Sequence, residues 1–103
     1  MVNMKIKGIW ETRKVWIDGK YLDPINSQKV YNHSPDGHCW SYSGSGPSQL
    51  ALSILLYHLP KEKAIIWYQE FKRDVISNLP ATDFELDINL DEWIKTKQNN
   101  NSM

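Results

Sequence analysis

The sequence predicts an α+β domain: an antiparallel N-terminal sheet packed on a buried central helix, with a second amphipathic helix and a short C-terminal helix. Three observations carry that reading. Short runs with a two-residue period fill the first part of the chain. The period changes at Gly44-Ser45-Gly46-Pro47, and the most apolar stretch follows directly. After Pro60 an apolar stripe recurs at helical spacing.

Met4 to Trp10 alternates, with Ile6, Gly8 and Trp10 on one face and Lys5, Lys7 and Ile9 on the other. Lys14 to Ile17 is rich in strand formers. Asp18-Gly19 then separates it from Lys20-Tyr21-Leu22, which is a strong signal for a two-residue hairpin turn. Asp23-Pro24 ends the second arm, because a sheet interior does not accept the proline's missing donor. Residues 25–28 read as a loop or one helical turn, and 29–32 as a short strand. Ser34-Pro35-Asp36-Gly37 is a turn. His38 to Tyr42 alternates again and would pair across that turn as a second hairpin. The expected sheet therefore has three to five short strands.

Pro47 suits the first turn of a helix, where its missing N–H is not needed. Ser45 or Gly46 would be the N-cap. From Gln49 to Leu59 the helix is apolar almost all round, so it should be buried on most sides. A second helix should open at Lys61 and run to about Asn78. Ala64, Trp67, Tyr68, Phe71, Val75 and Leu79 form its apolar stripe. Glu70 and Asp74 are four apart on its polar side and should repel slightly. Phe84 to Asp87 is a candidate edge strand. Asn89, with Glu92 three positions on, marks the start of a short last helix holding Leu90, Trp93 and Ile94. The domain is expected over 1–97. Residues 98–103 lack apolar anchors and are expected to form a disordered tail.

The chain of 103 residues supports one modest core. Five Trp and five Tyr are many for this length, and large aromatics compensate for a small core. Net charge is zero, which argues against a nucleic-acid binder held by general electrostatics. The charge is nevertheless split. Lys5, Lys7, Arg13, Lys14, Lys20 and Lys29 crowd the N-terminal part, and Asp83, Glu85, Asp87, Asp91 and Glu92 the C-terminal part. That pattern offers one basic and one acidic face, or more simply a solvated surface. Cys39 is the only cysteine, so no intrachain disulfide can form. No signal segment is visible, and the apolar run at 50–57 is too short to span a bilayer. A cytoplasmic location and no membrane partner are expected.

His33-Ser-Pro-Asp-Gly37 and Trp40-x-Tyr42-x-Gly44-Ser-Gly-Pro-x-Gln-Leu-Ala-Leu52 carry a resemblance. They resemble a family of small proteins of unknown function found in prokaryotes, their plasmids and phages. Tyr68-Gln-x-Phe-Lys72, Val75-Ile-x-x-Leu-Pro80, Asp18-Gly19 and Leu22-Asp-Pro24 extend the likeness over most of the chain. The resemblance implies a mobile-element or accessory setting and supplies no catalytic residues. The chain departs from the family's commonest pattern at Ser41 and Ser43, where glycine is frequent.

Five features could carry chemistry. Free N–H groups at the Gly44–Pro47 turn could hold a phosphate or carboxylate, with Trp40, Tyr42, Gly44, Ser45, Gly46 and Ser48 as the ligand-binding candidates. The turn lacks the Gly-Lys-Ser/Thr ending of a P-loop, and a compact strand-to-helix junction with glycines at unusual dihedrals is the simpler reading. His33, His38, Cys39 and His58 are too few and too scattered for structural zinc, so no metal or other cofactor is expected. Cys39 with His38 or His33 could form a thiol–imidazole pair, but His38 and Cys39 are neighbours on a strand and should face opposite ways, so a buried or inert thiol is the better reading. Asp83, Glu85 and Asp87 alternate on one strand face and could hold a cation, although solvent groups are the simpler reading for two of them. Finally, Trp10, Trp16, Trp40 and Tyr42, with Lys5, Lys7 and Lys14, could form a stacking platform for single-stranded nucleic acid.

No enzyme class and no catalytic residue is supported. The leading expectation is a non-enzymatic interaction module, a mobile-element or phage accessory protein that binds a partner protein or itself. The alternatives are an anionic-ligand or nucleotide binder at Gly44–Pro47 and, less favoured, a nucleic-acid binder using the N-terminal sheet.

Overall fold

The computed structural model describes residues 3–101. Its sheet is antiparallel, with strands β1 (Met4–Ile9), β2 (Lys14–Ile17), β3 (Lys20–Tyr21) and β4 (Phe84–Ile88) in the order β3-β2-β1-β4. The helices are α1 (Ile25–Val30), α2 (Ser45–His58), α3 (Lys61–Asp74) and α4 (Leu90–Asn101), with a 3-10 turn at Ile76–Asn78. The α+β class and the edge position of Phe84–Ile88 follow the sequence reading.

The alternation in β1 sorts its side chains as expected. Met4, Ile6 and Gly8 are buried, whereas Lys5 and Lys7 are exposed. Cross-strand neighbours share a face, so Ile6 joins Ile17 and Leu86 on the core side. On the open side Lys7 lies between Trp16 and Glu85, and Lys5 lies opposite Asp87. The basic and acidic blocks of the sequence therefore meet on one face instead of forming two. Asp18 and Gly19 both have positive φ, as a tight hairpin turn of this kind requires.

α2 is the core of the molecule. Every residue from Gly46 to Leu55 is buried. Its N-cap is Gly44, one residue before the expected position. α3 covers α2 with Ala64, Tyr68 and Phe71, and ends at Asp74 where the 3-10 turn takes over. Glu70 and Asp74 do not simply repel. Lys97 of α4 reaches both, at 3.3 and 2.6 Å. The hydrogen bond to Asp74 is the main reason the Lys97 ammonium is held above its ordinary pKa. The Asn89 side chain accepts the Glu92 N–H at 3.1 Å, so the expected cap is present. α4 continues through residues 98–101, which belong to the expected tail; 102 and 103 lie outside the described residues.

Two expectations fail between β3 and α2. Residues 25–30 form a helix, so no strand begins at Lys29. His38 to Tyr42 is irregular, and the second hairpin is absent among the described residues. The alternation there reflects side chains that separately seek the core and the surface. Trp40 is fully buried, edge-on to Trp10 and Phe84 at 5.5 and 4.8 Å, and its indole N–H donates to the Thr82 carbonyl. Tyr42, two residues on, is half exposed.

Candidate functional site

The start of α2 brings the six sequence candidates close together but presents them unequally. Trp40, Gly46 and Ser48 are buried, Gly44 is half-buried, and Tyr42 and Ser45 reach solvent. The glycines are explained by space, not by unusual dihedrals. Gly44 has extended backbone, with φ −164°, and Gly46 is helical. A Cβ on Gly44 would lie 2.5 Å from Tyr42 Cε2, and one on Gly46 would lie 2.6 Å from Cys39 Cβ and 3.1 Å from the Tyr42 hydroxyl. Tyr42 is thus folded over both glycines. Its hydroxyl lies over the first turn of α2 beside Gly46. The phenol is pushed above its ordinary pKa, first by burial of the hydroxyl and then by the neighbouring Cys39 sulfur.

Cys39 is half-buried. Its sulfur receives the Arg13 Nε–H at 3.4 Å, and the Arg13 guanidinium lies 3.6 Å over the Trp10 ring. His38 turns inward instead, so thiol and imidazole part company, as alternation had suggested, though without a strand to enforce it. The four aromatic candidates for a stacking platform also separate. Trp10 and Trp40 meet edge-to-face on the core side, while Trp16 pairs with Tyr21 on the open face. The three histidines have separate partners: His33 meets the Tyr68 hydroxyl, His38 meets Ser53, and His58 meets Asp91. No group of three or more His, Cys, Asp or Glu that could hold a metal occurs among the described residues.

A second site was not singled out from sequence. Gln49 in α2 is fully buried and uses all of its hydrogen-bonding capacity. Its carbonyl accepts the His33 and Ser34 N–H groups at 2.8 and 2.9 Å. Its amide donates to Ser27 Oγ and the Tyr31 carbonyl at 2.8 and 3.0 Å. Gln49 thereby pins the irregular segment after α1 to the core helix.

Beside it the hydroxyl protons have a fixed direction. Ser27 Oγ donates to the Pro24 carbonyl at 2.8 Å, so its single proton is committed. The 2.6 Å contact between Ser53 and Ser27 must then use the Ser53 proton. It follows that at 2.7 Å His38 Nε2 carries the hydrogen and donates to Ser53 Oγ. Burial lowers the His38 pKa to about 4, and Asp23 opposes this in part, so the ring is neutral near pH 7. A serine nucleophile would need the imidazole to accept its proton. Here the imidazole gives one, so the pair is wired as a structural donor chain.

The end of this chain opens on a cleft of about 230 Å³. Ser27 and Ser53 lie at its base, Leu22 and Leu56 supply apolar wall, and Tyr21, Asp23, Asn26 and Tyr57 stand around them. Its clue in the sequence was the presence of Gln49 and Ser53 on a helix that is otherwise apolar all round.

A family model matches residues 7–96, a span that runs from β1 into α4 and contains both sites. The chain belongs to the family of unknown function DUF6166. Comparison with curated proteins and with solved structures finds no match. The match carries the family as far as the turn and the cleft, and it assigns no activity to either.

Proposed function

We propose that this DUF6166 chain is a non-enzymatic interaction module that binds a partner protein at the β3–α1–α2 face. The setting we propose is that of a mobile-element or phage accessory protein, which rests on the resemblance of residues 33–52. The observation that supports binding is the collection of exposed large apolar side chains there. Tyr21 is 51% exposed, Ile25 49% and Tyr57 46%. Tyr21 and Tyr57 stand at the cleft, and Ile25 opens the helix that borders it. β3 is also an edge strand. The Leu22 N–H bonds the Val15 carbonyl, so the preceding residue, Tyr21, turns its own N–H and C=O away from β2. Contiguous apolar surface beside open strand edge is the chemistry of a peptide-binding surface. The outward-donating histidine supports the non-enzymatic half of the reading. The test is affinity capture from a lysate of the cells that make the protein, comparing wild type with Tyr57→Glu. A protein retained by wild type and lost from a variant with an unchanged thermal midpoint is expected. Equal retention by both, or none by wild type, would sink the proposal.

A second reading, single-stranded nucleic acid on the open sheet face, is supported by Trp16 with Lys5, Lys7 and Lys14, and opposed by Glu85 and Asp87 on the same face. A gel shift at low salt is its most permissive test, and no shift there removes it.

A further inference from the structure

The hydrogen-bond polarity of the cleft says what kind of group it would receive. All the donor hydrogens at its base are spent: Ser27 on Pro24, Ser53 on Ser27, and the His38 Nε2–H on Ser53. Ser27 Oγ also accepts from both Gln49 and Ser53, so its lone pairs are filled. Ser53 Oγ accepts only from His38 and keeps one lone pair. The base therefore offers an acceptor and no donor. Asp23 is the one charged side chain among the described lining residues. One of its oxygens accepts the Ile25 N–H at 3.0 Å, and it has no ion-pair partner among the described residues. Asp23 lines the cleft, and it is near enough to His38 to work against the lowering of that pKa by burial. The Asn26 carboxamide makes no hydrogen bond among the described residues, and Tyr57 adds a half-exposed aromatic ring.

A cleft whose one charge is negative, whose base offers only an acceptor and whose wall is aromatic complements a group that is cationic and donates hydrogen bonds. Among side chains that description fits arginine and lysine. The planar guanidinium also stacks on tyrosine, which favours arginine. The volume of about 230 Å³ is smaller than the ~300–1,000 Å³ of drug-sized ligand sites and suits a single long side chain. We propose that the cleft receives an arginine side chain of the partner protein, with its guanidinium between Asp23, Ser53 and Tyr57. This inference rests on the interaction reading above and names the chemistry of the partner.

The test is an amide chemical-shift titration of the whole chain with N-acetyl-arginine methylamide, and in parallel with the uncharged N-acetyl-norleucine methylamide. The arginine probe should give saturable shifts confined to residues 21–27 and 53–57, weakening as salt is raised. Asp23→Asn should weaken its binding by about fivefold, the size of a partly exposed ion pair. That variant keeps the oxygen that accepts the Ile25 N–H, so the entry to α1 is preserved. Tyr57→Leu, at a half-exposed position, should weaken it further without unfolding the chain. Equal binding of the norleucine probe, no saturable shift with the arginine probe, or an Asp23→Asn variant that binds as wild type would overturn the inference. If probe binding fails while Tyr57→Glu still abolishes capture of a partner, only the arginine assignment falls. If the probe binds as stated while capture is unaffected by Tyr57→Glu, the interaction reading falls instead.

Discussion

The start of α2 and its middle solve opposite problems with the same helix. At the start the chain fills its own space: Tyr42 lies across Gly44 and Gly46, where a Cβ would meet its ring or its hydroxyl. At the middle Gln49 and Ser53 satisfy each other's surroundings so completely that nothing polar is left to donate, yet the neighbouring tyrosines stay out in solvent. A glycine pair before a helix therefore marks close approach, whether by a ligand or by the chain's own ring. A glutamine in an apolar helix marks a tether to distant backbone.

The sharpest break of this contrast is Gln49→Ala. It strands the His33 and Ser34 N–H groups and the Tyr31 carbonyl, and should cost about 3–5 kcal/mol in urea unfolding. A cost below about 1 kcal/mol would mean that the tether does not hold residues 31–34. Next is the pH dependence of the middle. The folded His38 pKa of about 4 lies below the ordinary histidine value of 6.5, so protons favour the unfolded chain. The stability due to a neutral His38 is complete above pH 6.5 and is lost as pH falls towards 4, amounting to about 3 kcal/mol. His38→Gln can still donate to Ser53 and cannot titrate. Its unfolding free energy should lack that stretch of pH dependence, and identical profiles for the two proteins would refute the buried neutral ring.

At the helix start the effects should be smaller. Gly46→Ala forces a Cβ against Cys39 Cβ and should cost about 1–3 kcal/mol. Gly44→Ala should cost less in the same thermal melts, because the obstacle there is a half-exposed ring that can swing away. The reverse order would mean that Tyr42, not Cys39, is the rigid element. The smallest effect is a gain. Ser41 has φ 83°, a left-handed backbone that favours glycine, so Ser41→Gly should stabilise by roughly 1 kcal/mol. Its thermal midpoint should rise; a fall would show that the Ser41 side chain matters.

The class of the fold was legible because its signals are local. Asp18-Gly19 fixes a hairpin, Pro47 starts a helix, and Asn89 caps one. Within Ile25–Tyr42 the expected turn at Ser34–Gly37 forms, with the Gly37 N–H on the Ser34 carbonyl, but the expected strands at 29–32 and 38–42 do not, because distant partners set the structure there. Gln49 holds 31–34, the Ile76 carbonyl receives the Ser41 N–H, and Thr82 receives the Trp40 indole. No period within the segment reports such bonds. The same holds for the sites. The glycine turn announces itself in consecutive letters. The cleft is assembled from the end of β3, α1 and α2, and only Gln49 and Ser53, out of place on an apolar helix, hinted at it. The left-handed backbone at Ser41, φ 83°, is one that a glycine would adopt without strain.

The place of β1 in the sheet has a consequence for how the chain is made. It is synthesised first but lies between β2 and β4, so one flank waits for a strand that comes from the far end of the sequence. On a ribosome that interval is on the order of several seconds. During it the β1–β2 hairpin carries an unpaired edge, the usual starting point for wrong association. Lys5 and Lys7 stand on that strand and flank its apolar residues with like charge, which discourages two nascent hairpins from joining. When Phe84–Ile88 arrives, Glu85 and Asp87 come to rest beside those two lysines. The charges that protect the unfinished protein are then the ones that receive its last strand.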